Sequence, residues 1–380
     1  MSIRNNELSN EEKLNLLLSV GRGGEIVADE GHLEWLLENR KPGQIIAYDG
    51  FEPSGRIHIA QGLLRAININ KFTKAGVKFI MFVADWHAAA NQKFGGNLDV
   101  IKKVGDYFVE VWKACGIDLE RVEFIYASDL VKDPAYWELV LKISMNSSLK
   151  RVLRCTQIMG RTSEDSLQSS QILYPLMQCA DIFTLKADIC QLGLDQRKVN
   201  MLAREVARSV GYRHKPSAIH HHMLMGLVKP PESEMDEMDK KIARKMSKSN
   251  PDSAIFMDDT YADIKRKINK AWCPPGEIKD NPILEYCNFI IFERFDDFEI
   301  KRPEKYGGNI IFESYSALED AYSQEKLSPV DLKLAVIEHL EKLIKPVRTH
   351  FEENSYANEL MQFVKKEMKK QAQRNKSQKK

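Results

Sequence analysis

What this sequence lacks narrows its class before any motif is considered. No apolar run approaches the roughly 20 residues needed to cross a bilayer, so no membrane span is expected. Cysteine is sparse: Cys115, Cys155, Cys179, Cys190, Cys273 and Cys287 are scattered through apolar settings without metal-ligand spacing. They are expected to be reduced core thiols of a cytosolic protein, not a disulfide framework. Neither sign of charge is in excess, with 56 Lys and Arg against 54 Asp and Glu in 380 residues. Any basic surface for nucleic acid must therefore be local. From Met1 to Glu12 the chain is polar, without the apolar stretch of a signal peptide or the Arg-rich, acid-poor bias of a transit peptide. With 43% hydrophobic and 29% charged residues, the composition is that of a soluble globular protein with room for two or three domains.

The chain is organised around Glu52-Pro53-Ser54-Gly55-Arg56-Ile57-His58-Ile59-Ala60-Gln61-Gly62. The apolar run 44–48 before it predicts a buried strand ending in Tyr48. After it, Ile59, Leu63, Leu64 and Ile67 recur at helical spacing. The stretch is thus a strand–loop–helix junction, with Pro53 and Gly55 breaking the backbone and His58 near the helix start. A helix N-terminus offers free N–H groups to a phosphate, and the imidazole adds a donor. The window alone fits an ordinary βα loop equally well.

Alternation then continues. Strands are expected at 77–84, 122–127 and 220–225, and helices at 11–20, 31–39, 100–114, 136–154, 165–186 and 196–210. This rhythm implies a Rossmann-like, doubly wound parallel sheet, with ligands at the carboxyl ends of the strands. Residues 1–40 form an N-terminal helical segment and 41–257 the catalytic domain, with 132–162 a helical insertion. Residues 258–364 are expected to be an all-helical domain. The tail 365–380, with eight Lys or Arg against one Glu, is expected to be solvated and frayed.

Three further patterns carry chemistry. Lys245-Met246-Ser247-Lys248-Ser249 places two lysines three apart on a loop, where they can clamp a triphosphate; alone, it is also an ordinary charge run. Tyr174, Gln178 and Asp181 fall on one face of an otherwise apolar helix, so this polar stripe is either an internal hydrogen-bond network or a pocket for a small polar–aromatic ligand. Gly193-Leu194-Asp195-Gln196 is a turn, or a close backbone approach with a carboxylate for a sugar. His220-His221-His222 cannot converge on one ion if they lie in a strand. No metal site is expected, and Asp85-Trp86-His87 is placed near the ligand pocket.

Together, the His58 loop and the Lys245–Ser249 loop resemble the two signatures of class I aminoacyl-tRNA synthetases. The strings 48–55 (YDGFEPSG) and 174–178 (YPLMQ) are similar to the tyrosyl branch of archaeal and eukaryotic cytosolic type, over about 30–351. The first signature departs in having Ala60 and Gln61 where Gly and a second His are usual. The resemblance implies ATP as substrate with Mg²⁺, tyrosine and tRNA(Tyr) as partners, and a cytoplasmic homodimer whose interface is supplied by 132–162. It implies His58, Lys245 and Lys248 as catalytic residues. Tyr48 and Asp181 would hold the phenol hydroxyl of tyrosine, and Tyr174, Gln178 and Gln196 its amino group. Gly55, His58, Gly193, Asp195, Met223, Leu224, Lys245, Ser247 and Lys248 would bind ATP. Tyr306, in the basic loop 301–308, and Asp331 would bind tRNA at the anticodon. The tryptophanyl branch and a non-catalytic RNA-binding relative are the alternatives; an indole has no hydroxyl for Asp181, and the phosphate loops are intact.

Overall fold

The computed structural model describes residues 8–159, 166–229, 244–246 and 250–378. Six strands form the main sheet: β1 (Glu25–Val27), β2 (Ile46–Phe51), β3 (Lys78–Val83), β4 (Val122–Tyr126), β5 (Ile189–Cys190) and β6 (Ser217–His220). Their order is β1-β6-β5-β2-β3-β4. All neighbours are parallel except β1, which pairs antiparallel with β6 at the edge. From β2 the chain winds outward through β3 and β4, then returns to fill the other side with β5 and β6. The gap between β2 and β5 is therefore a topological switch point, where the carboxyl ends of parallel strands open a crevice.

The helices flanking the sheet are α1 (Asn10–Val20), α2 (His32–Asn39), α3 (Leu63–Lys74), α4 (Asp85–Ala90), α5 (Leu98–Ala114), α6 (Ala127–Leu130), α7 (Pro134–Met145), α8 (Leu149–Cys155), α9 (Ser169–Thr184) and α10 (Arg197–Val206). Local chemistry sets their ends. Ser9 and Glu12 form a capping box at α1. The Asn97 side chain accepts from Val100 N at 3.1 Å at the start of α5. The single helix expected over 136–154 is broken in two: α7 ends at Asn146, and Ser148 caps α8. Serine and asparagine compete with helical bonding through their own side chains, which outweighs the apolar periodicity there. The expected last strand is displaced, ending at His220 instead of beginning there.

Alternation along β2 separates two cores. Ala47 and Phe51 join Leu63 and Ile67 of α3 and Trp112 of α5 on one face, while Tyr48 joins Cys179 and Ile182 of α9 and Leu202 of α10 on the other. The first core continues into the C-terminal region through Ile264, Ile290, Phe298 and Leu340. There stand α11 (Tyr261–Lys270), α12 (Pro282–Tyr286), α13 (Tyr315–Ser323), α14 (Pro329–Glu353) and α15 (Ser355–Gln378). This region is helical but not all-helical. The short strands β7 (Phe298–Ile300) and β8 (Ile310–Phe312) form a hairpin whose loop carries Tyr306. Three-residue strands are too short to leave a period-2 signal.

The basic tail is helical where fraying is expected, while its charged side chains stay largely solvated. Residues 365–378 continue α15, with Val364 buried in the first core and Met368 packed against it. The Lys103 Nζ of α5 sits 5.1 Å above the Phe363 ring. No helix among the described residues is long and apolar enough to cross a membrane.

Candidate active site

His58 does not sit at a helix N-terminus. α3 starts at Leu63, and Gln61 N and Gly62 N both donate back to the His58 carbonyl, at 2.8 and 2.9 Å. A strand-like pairing with 255–257 holds the loop instead. Ile59 N donates to Ile255 O and Met257 N to Ile57 O, both at 2.9 Å. Arg56 adds an ionic anchor: Nε is 2.7 Å from Asp258 and an amino nitrogen 2.8 Å from Asp259, while its guanidinium lies 4.2 Å from the centroid of Phe256. Residues 255–257 follow the lysine loop directly, and Lys245 forms an isolated bridge with Met225 just after β6. Two loops far apart in sequence are thus parts of one backbone frame. Gly55 has φ +129°, a region that side chains resist, and a Cβ there would meet Met368 Sδ at 3.0 Å.

A cavity of about 850 Å³ opens at the switch point. Tyr48, His58, Tyr174, Gln178, Asp181, Gly193, Asp195, Gln196, Met223, Leu224 and Lys245 all line it. Gly55 is not among the lining residues, although its neighbour Ser54 is. Ser247 and Lys248 lie outside the described residues. Tyr306 and Asp331 belong elsewhere, on the β7–β8 loop and the first turn of α14.

One end of the cavity is built around Asp181. Its Oδ1 accepts from the Tyr136 hydroxyl at 2.9 Å, and its Oδ2 lies 2.9 Å from His87 Nε2. Burial alone would lower the His87 imidazole, but Asp181 outweighs it and the pKa is raised above the ordinary value. The His87 ring stands edge-on to Tyr174, centroids 4.9 Å apart. The Tyr48 hydroxyl is buried with no hydrogen-bond partner among the described residues. Gln178 Nε2 donates to Gln196 Oε1 at 3.2 Å. Tyr136 went unrecognised in the sequence because it lies in α7, a helix whose other residues read as an interface. The placement of His87 near the pocket agrees with the structure.

At the other end, Lys245 Nζ is 2.6 Å from Asp195 Oδ2. Burial disfavours the Asp195 carboxylate, but Lys245 and then Arg65 outweigh it and hold its pKa below the usual range. Gly193 is required by proximity: a Cβ would fall 2.6 Å from Asp195 Oδ1 and 2.7 Å from Met223 Sδ. The three histidines point apart. His220 meets Asn200 at 3.0 Å, His221 meets Gln191 at 2.7 Å, and His222 stacks on Phe289 with centroids 4.4 Å apart. Sequence patterns also gave no sign of the Asp49–Arg65 ion pair at 2.7 Å, of Glu52 accepting from Asn91 at 3.0 Å, or of Met368, Gln371 and Ala372 of α15 lining the mouth.

A nucleotide-sized crevice at a switch point, with a histidine loop and a lysine beside it, suits chemistry on an activated phosphate. The family model for tRNA synthetases class I (W and Y) matches residues 40–345. The chain belongs to this family. The synthetase is 46% identical over 357 residues to the cytoplasmic tyrosine–tRNA ligase 1 of Arabidopsis thaliana, covering 93% of this chain and 88% of that one. Among solved structures, the tyrosyl-tRNA synthetase of Pyrococcus horikoshii complexed with L-tyrosine aligns with a TM-score of 0.85 at 37% identity, over 93% of this chain and 100% of that one. The Leishmania major tyrosyl-tRNA synthetase in complex with tyrosinol aligns with a TM-score of 0.84 at 43% identity. That alignment covers 95% of the synthetase described here and 61% of the longer Leishmania chain.

Proposed function

We infer that this synthetase activates tyrosine with ATP to tyrosyl-adenylate and transfers it to the 3′-terminal adenosine of tRNA(Tyr). The observation that carries this is the buried Tyr48 hydroxyl, unpartnered among the described residues, in the same cavity as Asp181. A buried polar atom without a partner costs stability unless a ligand supplies one. A phenol hydroxyl fits, because it accepts and donates at once. An indole N–H donates only and leaves one of the two unmatched. Phenylalanine leaves the Tyr48 hydroxyl unmatched and deprives Asp181 of a third donor, a loss on the order of 10⁴–10⁵ for which tyrosyl-tRNA synthetases are themselves the standard example.

In this reading the substrate carboxylate attacks the α-phosphate in line. A carboxylate O–P bond forms as the bond to the bridging oxygen breaks, and pyrophosphate leaves. The terminal adenosine then takes the tyrosyl group through its 2′-hydroxyl. No protein nucleophile is needed; positioning and charge stabilisation suffice. Tyr174, Gln178 and Gln196 hold the substrate ammonium. Gly193 lets the sugar approach Asp195, and the Met223–Leu224 backbone receives adenine. His58, Lys245 and Lys248 serve the phosphates, with Gly55 and Ser247 in the loops that carry them. Glu52 and Asp195 are already engaged by Asn91 and Lys245, so Mg²⁺ would be held chiefly by the nucleotide's own oxygens, where it neutralises phosphate charge.

Tyrosine-dependent exchange of labelled pyrophosphate into ATP tests this. Exchange with tyrosine and not tryptophan is expected; no exchange with either, or exchange with tryptophan alone, overturns it. Lys248→Ala should slow adenylate formation by about 10–100-fold while leaving the dissociation constant of tyrosine within about twofold. Equal losses in both would remove Lys248 from the phosphates.

The remaining assignments follow the same reading. Residues 41–257 act as the catalytic domain and 258–364 as the anticodon-binding domain. Tyr306, 61% exposed with Lys305 Nζ 4.8 Å from its ring centroid, suits stacking on an unpaired base. Asp331 accepts from Ser328 Oγ at 2.9 Å in the first turn of α14, and can accept from a guanine edge as well. Leu141 and Met145, one turn apart on α7, and Leu149 at the start of α8 are 61, 77 and 63% exposed, an apolar surface that suits a homodimer interface. Met145→Glu is expected to yield a 43.7 kDa monomer by light scattering where the unmodified protein is twice that mass. An unchanged mass would place the interface elsewhere. The cellular compartment in this reading is the cytoplasm, as the name of the Arabidopsis relative has it.

A further inference from the structure

Beneath Asp195 lies a charged cluster that the reaction as written does not use. Asp49 follows Tyr48 on β2, and alternation turns it to the opposite face of the sheet, toward α3. There Arg65 reaches it, Nε to Oδ2 at 2.7 Å, with the carboxylate and guanidinium side chains only 2% and 11% exposed. Both also line the cavity. Burying such a pair is costly, and against well-packed apolar residues it confers little net stability. Its presence under a ligand cavity therefore calls for a role in the site.

Arg65 has two other neighbours, and both belong to the nucleoside end. It contacts His221 Nε2. A guanidinium only donates, so that nitrogen must be the lone-pair nitrogen and Nδ1 must carry the proton. The structure sets Gln191 Nε2 2.7 Å from Nδ1, so the carboxamide must make a half-turn, exchanging its nitrogen and its unpartnered oxygen, to accept from that proton. Burial and Arg65 together hold the His221 imidazole neutral, its pKa pushed well below the ordinary value. With that half-turn one directional chain, Arg65 to His221 to Gln191, runs beside the segment that carries Met223 and Leu224. The second is Asp195, which stands beside the same histidine nitrogen: a Cβ on Gly193 would lie 2.6 Å from Asp195 Oδ1 and 3.4 Å from His221 Nε2. Across that short gap Arg65 supports the Asp195 charge after Lys245. Lys245 has three donors, so it can touch Asp195 and a phosphate together, but its charge is then shared between two anions. Arg65 is the other cation acting on Asp195.

We propose that Arg65, braced by Asp49, is the positioning residue for the ribose of the bound nucleotide: it fixes His221 from below and keeps the nearby Asp195 compensated when Lys245 engages the phosphates. The proposal rests on the ATP-dependent activity inferred above.

The test compares pyrophosphate exchange with ATP, 2′-deoxy-ATP and 3′-deoxy-ATP. The unmodified protein should prefer ATP to at least one deoxy analogue, because Asp195 accepts from a ribose hydroxyl. In Arg65→Met the larger of these preferences should shrink by about tenfold, KM for ATP should rise, and KM for tyrosine should stay within about twofold. Arg65→Lys should restore part of the preference. Because Arg65→Met strands a buried Asp49, the double variant Asp49→Asn/Arg65→Met removes the pair as a unit and should show the same lost preference in a chain freed of that stranded charge. A preference unchanged in the double variant, or KM values for ATP and tyrosine that rise together, overturns the proposal while leaving the activity intact. Absence of any exchange in the unmodified protein overturns the activity, and the proposal with it.

Discussion

Replacing Asp181 by asparagine is expected to lower kcat/KM for tyrosine activation by on the order of 10²–10³, the scale of losing a charged, desolvated hydrogen bond and leaving a buried partner unmatched. The carboxylate is the hub of three groups in this reading. Tyr136 donates to one oxygen, His87 lies against the other, and the substrate hydroxyl completes the shell. An amide keeps one acceptor but turns two donors toward groups that are donors themselves. The loss should fall on tyrosine, with KM for ATP within about threefold, since in this reading the nucleoside is held separately by Asp195 and Lys245. Comparable rises in both KM values would mean that Asp181 only supports the fold.

The same pair gives a pH signature. The folded His87 pKa is raised above its unfolded value, so its contribution to stability is fully present below the ordinary imidazole range. It is lost as pH rises through the elevated folded value. Denaturation midpoints of His87→Gln, compared with the unmodified chain across that window, should show a flatter pH dependence; an identical slope would mean the imidazole is not charged against Asp181.

His58→Ala is expected to give the complementary result: adenylate formation slowed by on the order of 10²–10³, the usual loss on removing one preorganised donor from a site of developing charge, with tyrosine affinity unchanged. The backbone makes this a clean experiment. The loop is held by Ile57 and Ile59 through main-chain bonds to 255–257 and by Arg56 through Asp258 and Asp259, none of which needs the imidazole. Stopped-flow measurement of the first turnover separates the two quantities. A loss confined to tyrosine binding would place His58 at the wrong end of the cavity.

What was legible in the sequence shares one property: its residues are close together and at fixed spacing. The Tyr174–Gln178–Asp181 stripe lies on one face of one helix, and the alternation of strands and helices marks the doubly wound class. The strand order, and the short β1 and β5, were not legible in it. Tyr136, Arg65 and Asp49 were not legible, because their meaning arises only when α7 meets α9 and α3 meets β2. His58 was placed on the right loop and assigned the wrong support, since the apolar periodicity begins at Ile59 but four residues of turn precede the helix. The basic tail misled through composition. Its charges read as a solvated run, yet Ala357, Leu360, Val364 and Met368 recur at helical spacing and are the residues that pack inward.

That last helix has a practical side. Met368 rests against Gly55, and Gln371 and Ala372 border the same cavity as His58, while Lys365 reaches Asp258 at 3.1 Å in the frame that anchors the loop. Trimming the chain at 364 to discard an apparently dispensable lysine-rich end would unroof the His58 side of the cleft.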